Sequence, residues 1–286
     1  MQKVKIITHS GSDLTFQDAS ELNITLLPDL VVFGNEQFRN NVDIFPEAFY
    51  ARLEQDDVFP TSAHPNLLEF MNAFRGAAEY EAIICLVMSS QMTNTINTAK
   101  IAAQMVKEED DFRPEIYIYD SQQVSYGLGM AAIDAAKMAR NGATAQEILA
   151  RLDEIVPRIG VYFVMKSLKY AHKGGRIGAI KAVTADALGV KPLLSFRDGT
   201  VSDILLNRRF SDGVEAIFKK YQRLAGDDPD VFVFHARNEE TALQLKAKIE
   251  AYNPAASVQI RMVGPVVGIY TGIGCVGISF KEKPKS

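Results

Sequence analysis

Hydroxyl and amide side chains recur in this sequence directly after short apolar runs. The densest group is Ser89, Ser90, Thr93, Asn94 and Thr95, which follows the apolar run Ala82–Met88 and leads into a helix-like segment reaching Ala103. A buried strand, a polar turn and a helix start in that order place hydroxyls beside unpaired backbone N–H groups and the positive end of a helix dipole. Such a place suits an oxygen-rich head group, carboxylate or phosphate. Ser, Thr and Asn are also the preferred helix caps, so plain capping is the competing reading. His9 and Ser10 end the run Val4–Thr8, with Gly11 and Ser12 in the turn, and Asp120 and Ser121 end the run Glu115–Tyr119. Thr61 and Ser62 lie in the proline-flanked stretch Phe59–Asn66, which reads as a loop and gives these hydroxyls a role either in the turn or toward a ligand. A second chemistry is a hydrolase or transferase using Ser10, Ser90 or Thr93 as nucleophile, which needs an adjacent base. His9 is the one histidine placed at a strand end.

These groups need elements to hold them. Up to residue 157 the chain alternates strand and helix through four units, the pattern of a parallel sheet covered on both faces. The helices are expected over Ile44–Leu53, Leu67–Ala78, Val124–Arg140 and Ala145–Ile155, the last with Thr144 and Glu147 at capping-box spacing. After Pro157 the pattern changes. Strands over Val161–Met165, Lys191–Phe196 and Val201–Leu206 surround an Asp198-Gly199 hairpin signal, and helices are expected over Lys181–Leu188, Asp212–Leu224 and Glu239–Ala251. Val266–Phe280 reads as strand, glycine turn and strand. Gly272, Gly274 and Gly277 come close to a dinucleotide fingerprint, but no helix follows, so that reading is rejected. The fold class expected is α/β in two domains. Residues 1–158 form a three-layer domain with a parallel sheet, and residues 159–286 form a smaller α/β domain with a mixed sheet.

Composition narrows the function. The chain has 286 residues, 47% of them apolar, and a net charge of −4. No basic excess or recognition element points to nucleic acid. No run reaches the roughly 18 apolar residues of a membrane span. The N-terminal apolar run is too short for a secretory signal core, and Cys85 and Cys275 sit in apolar surroundings as buried thiols would. A cytoplasmic protein without metal or cofactor is the expectation.

Taken in order, the hydroxyl-ended first strand, the Thr61-Ser62 pair, the S-S-x-x-[ST]-x-T stretch from Ser89, the Asp120-Ser121 strand end, the L-x-Y-x-x-K-G-G-R-I run from Leu168 to Ile177 and the terminal Thr271-Gly272-x-Gly274 resemble the DegV family of bacterial fatty-acid-binding proteins. The resemblance covers essentially the whole chain. It implies a fatty acid buried between two α/β domains, with its carboxylate presented to a separate fatty acid kinase for lipid synthesis and no catalysis by the carrier. Thr61 and Thr93 are then the head-group donors, with Ser62, Asn94, Thr95, Ser10, Tyr270, Thr271 and Arg176 around them. Six positions depart from the family pattern, among them Thr93, where Ser is usual, and Ile273, where the terminal motif has Pro. His9 replaces Asp, Asn94 replaces Gly, Lys166 stands where Asp is usual, and Tyr270 replaces the His of a terminal H-x-G-P-G. His64 is expected to be a solvated loop residue.

Overall fold

The computed structural model describes residues 3–55, 58–175 and 189–284. The first strand, β1 (Val4–His9), runs into a short 3₁₀ turn over Ser10–Ser12, and α1 (Phe16–Glu21) follows behind a capping box between Thr15 and Asp18. The apolar run that begins at Ile24 then divides at Pro28-Asp29. Its first part is β2 (Ile24–Leu27), parallel to β1, and its second part is β3 (Leu30–Phe33), which joins a separate antiparallel sheet. Proline, which cannot donate to a ladder, is where the chain changes sheets. In that small sheet β3 lies between β4 (Glu36–Arg39) and, beyond α2 (Pro46–Gln55), β5 (Thr61–Ala63). The stretch expected to be a loop around Thr61 is therefore a short strand, with Ser62 opposite Val31.

Helix α3 (Leu67–Arg75) starts on an Asn66–Glu69 capping box, and β6 (Ala82–Val87) follows with all six residues buried. Then come α4 (Thr95–Lys107), β7 (Glu115–Asp120), α5 (Tyr126–Arg140) and α6 (Ala145–Ile155), the last on the expected Thr144–Glu147 box. The order β2-β1-β6-β7 is parallel throughout. Alternation along β6 explains why helices cover both faces. Ile83, Cys85 and Val87 pack with Phe70, Phe74, Ala99 and Val106 on one side, while Ile84 and Leu86 pack with Leu128 and Ala132 on the other.

The second sheet begins with β8 (Ile159–Val164). After α7 (Lys169–Lys173) it adds β9 (Lys191–Arg197) and β10 (Thr200–Asn207), joined through Asp198 and Gly199, both at positive φ as a tight hairpin turn requires. It continues through α8 (Phe210–Leu224), β11 (Asp230–His235), α9 (Glu239–Tyr252), β12 (Ser257–Met262), α10 (Pro265–Thr271) and β13 (Val276–Lys281). The strand order β10-β9-β8-β13-β11-β12 mixes parallel and antiparallel pairs. Tyr162, Val164, Val231 and Val233 face α8 and α9, whereas Phe163, Leu194, Phe232 and Phe234 turn inward and join the core of the first sheet. The run from Val266 opens as α10, not as a strand, because Gly264-Pro265 starts a helix at its first turn and overrides the β-branched valines. The helix expected over Lys181–Leu188 lies outside the described residues.

One buried carboxyl ties the halves together. Asp13 accepts from the Ser125 hydroxyl at the start of α5 and from the Gly264 N–H at the start of α10, 3.1 Å away. Tyr50 and Tyr126 donate to the carbonyls of Val263 and Met262 beside it, at 2.9 and 3.1 Å. Burial, with Asp29 adding repulsion, raises the Asp13 carboxyl to about 7. A carboxyl whose folded value lies above its unfolded one favours folding fully only below the unfolded value, and that contribution is lost as pH rises from about 4 to about 7. The full difference is about 4 kcal/mol. Asp13→Asn, which copies the protonated form, is expected to remove this part of the pH dependence and to raise stability at pH 8. Urea unfolding across pH 4 to 8 checks both, and an unchanged slope in the variant would contradict the assignment.

Candidate functional site

A cavity of about 250 Å³ lies between the inward faces of the two sheets. Its interior is apolar, with Met88, Met92, Val124, Phe163, Met165, Leu194, Phe196, Val201 and Val266 on the wall. Polar groups gather at His9, Asp29, Ser62, His64, Thr93, Asn94, Thr95, Tyr270 and Thr271. They come from the ends of β1 and β2, from β5, from the start of α4 and from α10. Carboxyl ends of parallel strands supply several of them, as expected for an open α/β sheet.

The hydroxyls are paired with one another. Ser62 Oγ and the Tyr270 phenol share a hydrogen bond of 2.9 Å across 208 positions of sequence, and Thr93 and Thr95 share one of 2.8 Å. In each pair one hydroxyl hydrogen bridges the two oxygens, and the other can turn to an arriving anion. Asn94 precedes the first turn of α4 and is exposed while also on the wall, so the polar end of the cavity reaches the outside. Thr271 spends its hydroxyl on the Val267 carbonyl.

Behind this rim stands a buried carboxylate that sequence reasoning missed. Asp29 lies between 2.8 and 2.9 Å from three donors, His9 Nδ1, Ser10 Oγ and the Gly11 N–H. Ser10 Oγ in turn accepts from the Asp29 N–H. The other His9 nitrogen, Nε2, accepts from the Met88 N–H at 3.1 Å. The ring is thereby fixed as the Nδ1–H tautomer with both nitrogens used. His9 has no free lone pair for a neighbouring hydroxyl, which leaves the nucleophile reading without its base. The signal that could have found Asp29 is the Pro28-Asp29 break, an acid set inside an otherwise apolar run.

Not every expected residue reaches the cavity. Thr61 is exposed and off the wall, and Ser62 is the hydroxyl of β5 that lines it. Ser10 holds Asp29 from behind. Arg176 lies outside the described residues. Lys166 packs its stem where Gly274 leaves room and is exposed at its end. His64, expected to be solvated, is half-buried and on the wall. Gly174, the first of the Gly174-Gly175 pair, leaves room for an aromatic ring, since Tyr270 lies where a side chain would be, 2.5 Å from a Cβ placed there. Reciprocally, Tyr170 covers Gly272, whose φ of +72° ends α10. Two glycines thus let two tyrosines cross between α7 and α10.

Two layered sheets closing over an apolar cavity with a hydroxyl rim define an α/β protein with an internal pocket, and no group of three metal-ligating side chains occurs among the described residues. The chain belongs to the DegV family: the family model described as "Uncharacterised protein, DegV family" matches residues 3–283. A DegV domain-containing protein of Halalkalibacterium halodurans is 29% identical over 98% of this chain and 99% of its own length. The solved structure of DegV from Bacillus subtilis, described as a fatty acid binding protein, is 24% identical, covers 99% of this chain and 100% of its own, and superposes with a TM-score of 0.88. A DegV family protein from Thermus thermophilus, described for its fatty acid binding, also reaches 0.88 at 23% identity, with 98% and 99% covered.

Gly174→Ala puts a methyl group into the Tyr270 ring with no backbone strain, since Gly174 has ordinary helical φ. The expected cost is about 1–3 kcal/mol in urea unfolding. Adding Tyr270→Ala should return most of it, and two additive losses would show that the contact is not the cause.

Proposed function

We propose that this chain binds a long-chain fatty acid, with the acyl tail in the apolar cavity and the carboxylate at the hydroxyl rim. The carboxylate is offered to a separate fatty acid kinase, and the chain does no chemistry of its own. The observation that carries the reading is the division of the cavity wall: an apolar interior ending at hydroxyl pairs that both halves supply. Burying a tail is worth about 0.8 kcal/mol per methylene, so a carrier gains from enclosing all of it. A carboxylate leaving water needs several donors, and Ser62, Tyr270, Thr93 and Thr95 are placed to supply them. Ser62 takes the inner position on β5, with Thr61 beside it at the surface. Asn94, on the wall and exposed, sets the head group near the surface, where a second protein can reach it. The descriptions of the Bacillus and Thermus relatives as fatty acid binding agree with this reading. The ligand then lies between residues 1–158 and 159–286, the two domains of the proposal.

Native mass spectrometry of freshly purified protein, followed by organic extraction, is expected to release one fatty acid per chain. Val201, a partly buried residue on the wall, offers a control. Val201→Trp should fill the cavity and abolish fatty acid binding while circular dichroism stays unchanged. A protein that copurifies with no lipid and binds no added fatty acid would overturn the proposal.

A further inference from the structure

The rim contains an imidazole with one ring nitrogen that no described residue engages. His64, directly after β5, donates from Nδ1 to the Pro65 carbonyl at 2.9 Å. That bond fixes the ring, and Nε2 has no partner among the described residues. The other titratable groups around the wall are committed. His9 and Asp29 hold each other, and Tyr270 pairs with Ser62. His64 brings an imidazole to the wall that Ser62 and Tyr270 also line.

We infer that His64 is the group that makes this site selective for a carboxylic acid: its Nε2 and one carboxyl oxygen share a single proton. The inference rests on the carrier reading and adds to it the residue that recognises the head group. The balance is simple. A carboxylate arriving from water and a neutral imidazole hold no proton at Nε2, and their lone pairs repel. Complex formation therefore takes one proton from the buffer acid: the buffer's bond to hydrogen breaks, an N–H bond forms at Nε2, and that hydrogen bridges to the carboxylate oxygen. The second carboxyl oxygen accepts the free hydrogen of the Ser62–Tyr270 pair and that of the Thr93–Thr95 pair. A methyl ester of the same chain cannot accept this arrangement, because it carries no charge to stabilise the protonated ring.

Calorimetric titration with dodecanoate at pH 8.5, where free carboxylates are ionised and free imidazoles neutral, reads the proton directly when repeated in two buffers of different ionisation enthalpy. Uptake of about one proton per dodecanoate is expected for the parent protein. His64→Asn keeps a donor for the Pro65 carbonyl and removes Nε2. It should abolish the uptake and weaken dodecanoate at least about tenfold, with methyl dodecanoate bound as by the parent. Asp13 also titrates near neutral pH but lies behind the wall, so Asp13→Asn should leave the uptake in place. Dodecanoate bound without proton uptake, or uptake that survives in His64→Asn, overturns the inference and leaves the carrier reading standing. Binding of neither dodecanoate nor its ester overturns both.

Discussion

The polar end of the cavity depends on the buried Asp29 carboxylate. A charge enclosed away from water is tolerated only when donors surround it, and Asp29 has three, all from the consecutive residues His9, Ser10 and Gly11. This arrangement fixes the end of β1 against the crossover from β2 to β3. It also fixes the His9 ring, and through His9 Nε2 the backbone of Met88 at the end of β6. Two adjacent strand ends and one crossover are thereby locked by a single carboxylate. Gly11 belongs to the same device, since any side chain there would overlap Met88 and His9. The acid comes from the neighbouring crossover and the imidazole carries its influence across to β6.

The second constraint is that the cavity has walls from two sheets, so its shape exists only while the sheets hold their relative position. The β9–β10 hairpin supplies one fastening: Ser89 Oγ donates to the Gly199 carbonyl at 2.6 Å, and Gln91 Nε2 donates to the Asp198 carbonyl at 2.9 Å. Part of the hydroxyl cluster after β6 thus serves to fasten the second sheet, while Thr93 and Thr95 remain at the rim. The Asp13 node supplies the other fastening, at the start of α10. Its cost is a carboxyl that resists ionisation, and the return is that the helix carrying Tyr270 begins from a fixed point.

What could be read from the sequence follows from how local each signal is. The burial of β6, the capping boxes at Thr144 and Asn66, and the Asp198-Gly199 hairpin each depend on residues a few positions apart, and the α/β class with a parallel and a mixed sheet follows from them. The rim was legible as residue types: Ser62, Thr93, Asn94, Thr95, Tyr270 and Thr271 all reach the wall. Long-range facts were not legible. That Thr61 and Ser62 form a strand depends on pairing with β3, some thirty residues away in sequence. Valines at 266 and 267 favour strands locally, and only the Gly264-Pro265 start and packing against α2 and α7 make them helical. Asp29 and His64 were missed for the same reason, since an acid after a proline and a histidine before one look like ordinary turn residues until the fold gives them neighbours.

The histidines show how the same side chain is assigned different work by its hydrogen bonds. His9 stands at a strand end beside hydroxyls, the position a general base would occupy, yet Asp29 on one nitrogen and a backbone N–H on the other leave it nothing to exchange. His235, almost fully buried, accepts from the Asn238 N–H, and burial holds its imidazole below the usual range. It packs at the start of α9, away from the cavity wall. His64 is the least buried of the three and has one nitrogen tied to its own chain. Burial alone would rank His9 first as a functional residue, whereas counting lone pairs ranks it last. In a site whose work is to hold an anion, the open valence is the quantity that matters, because a ligand can bind only to what the protein has not already bound itself.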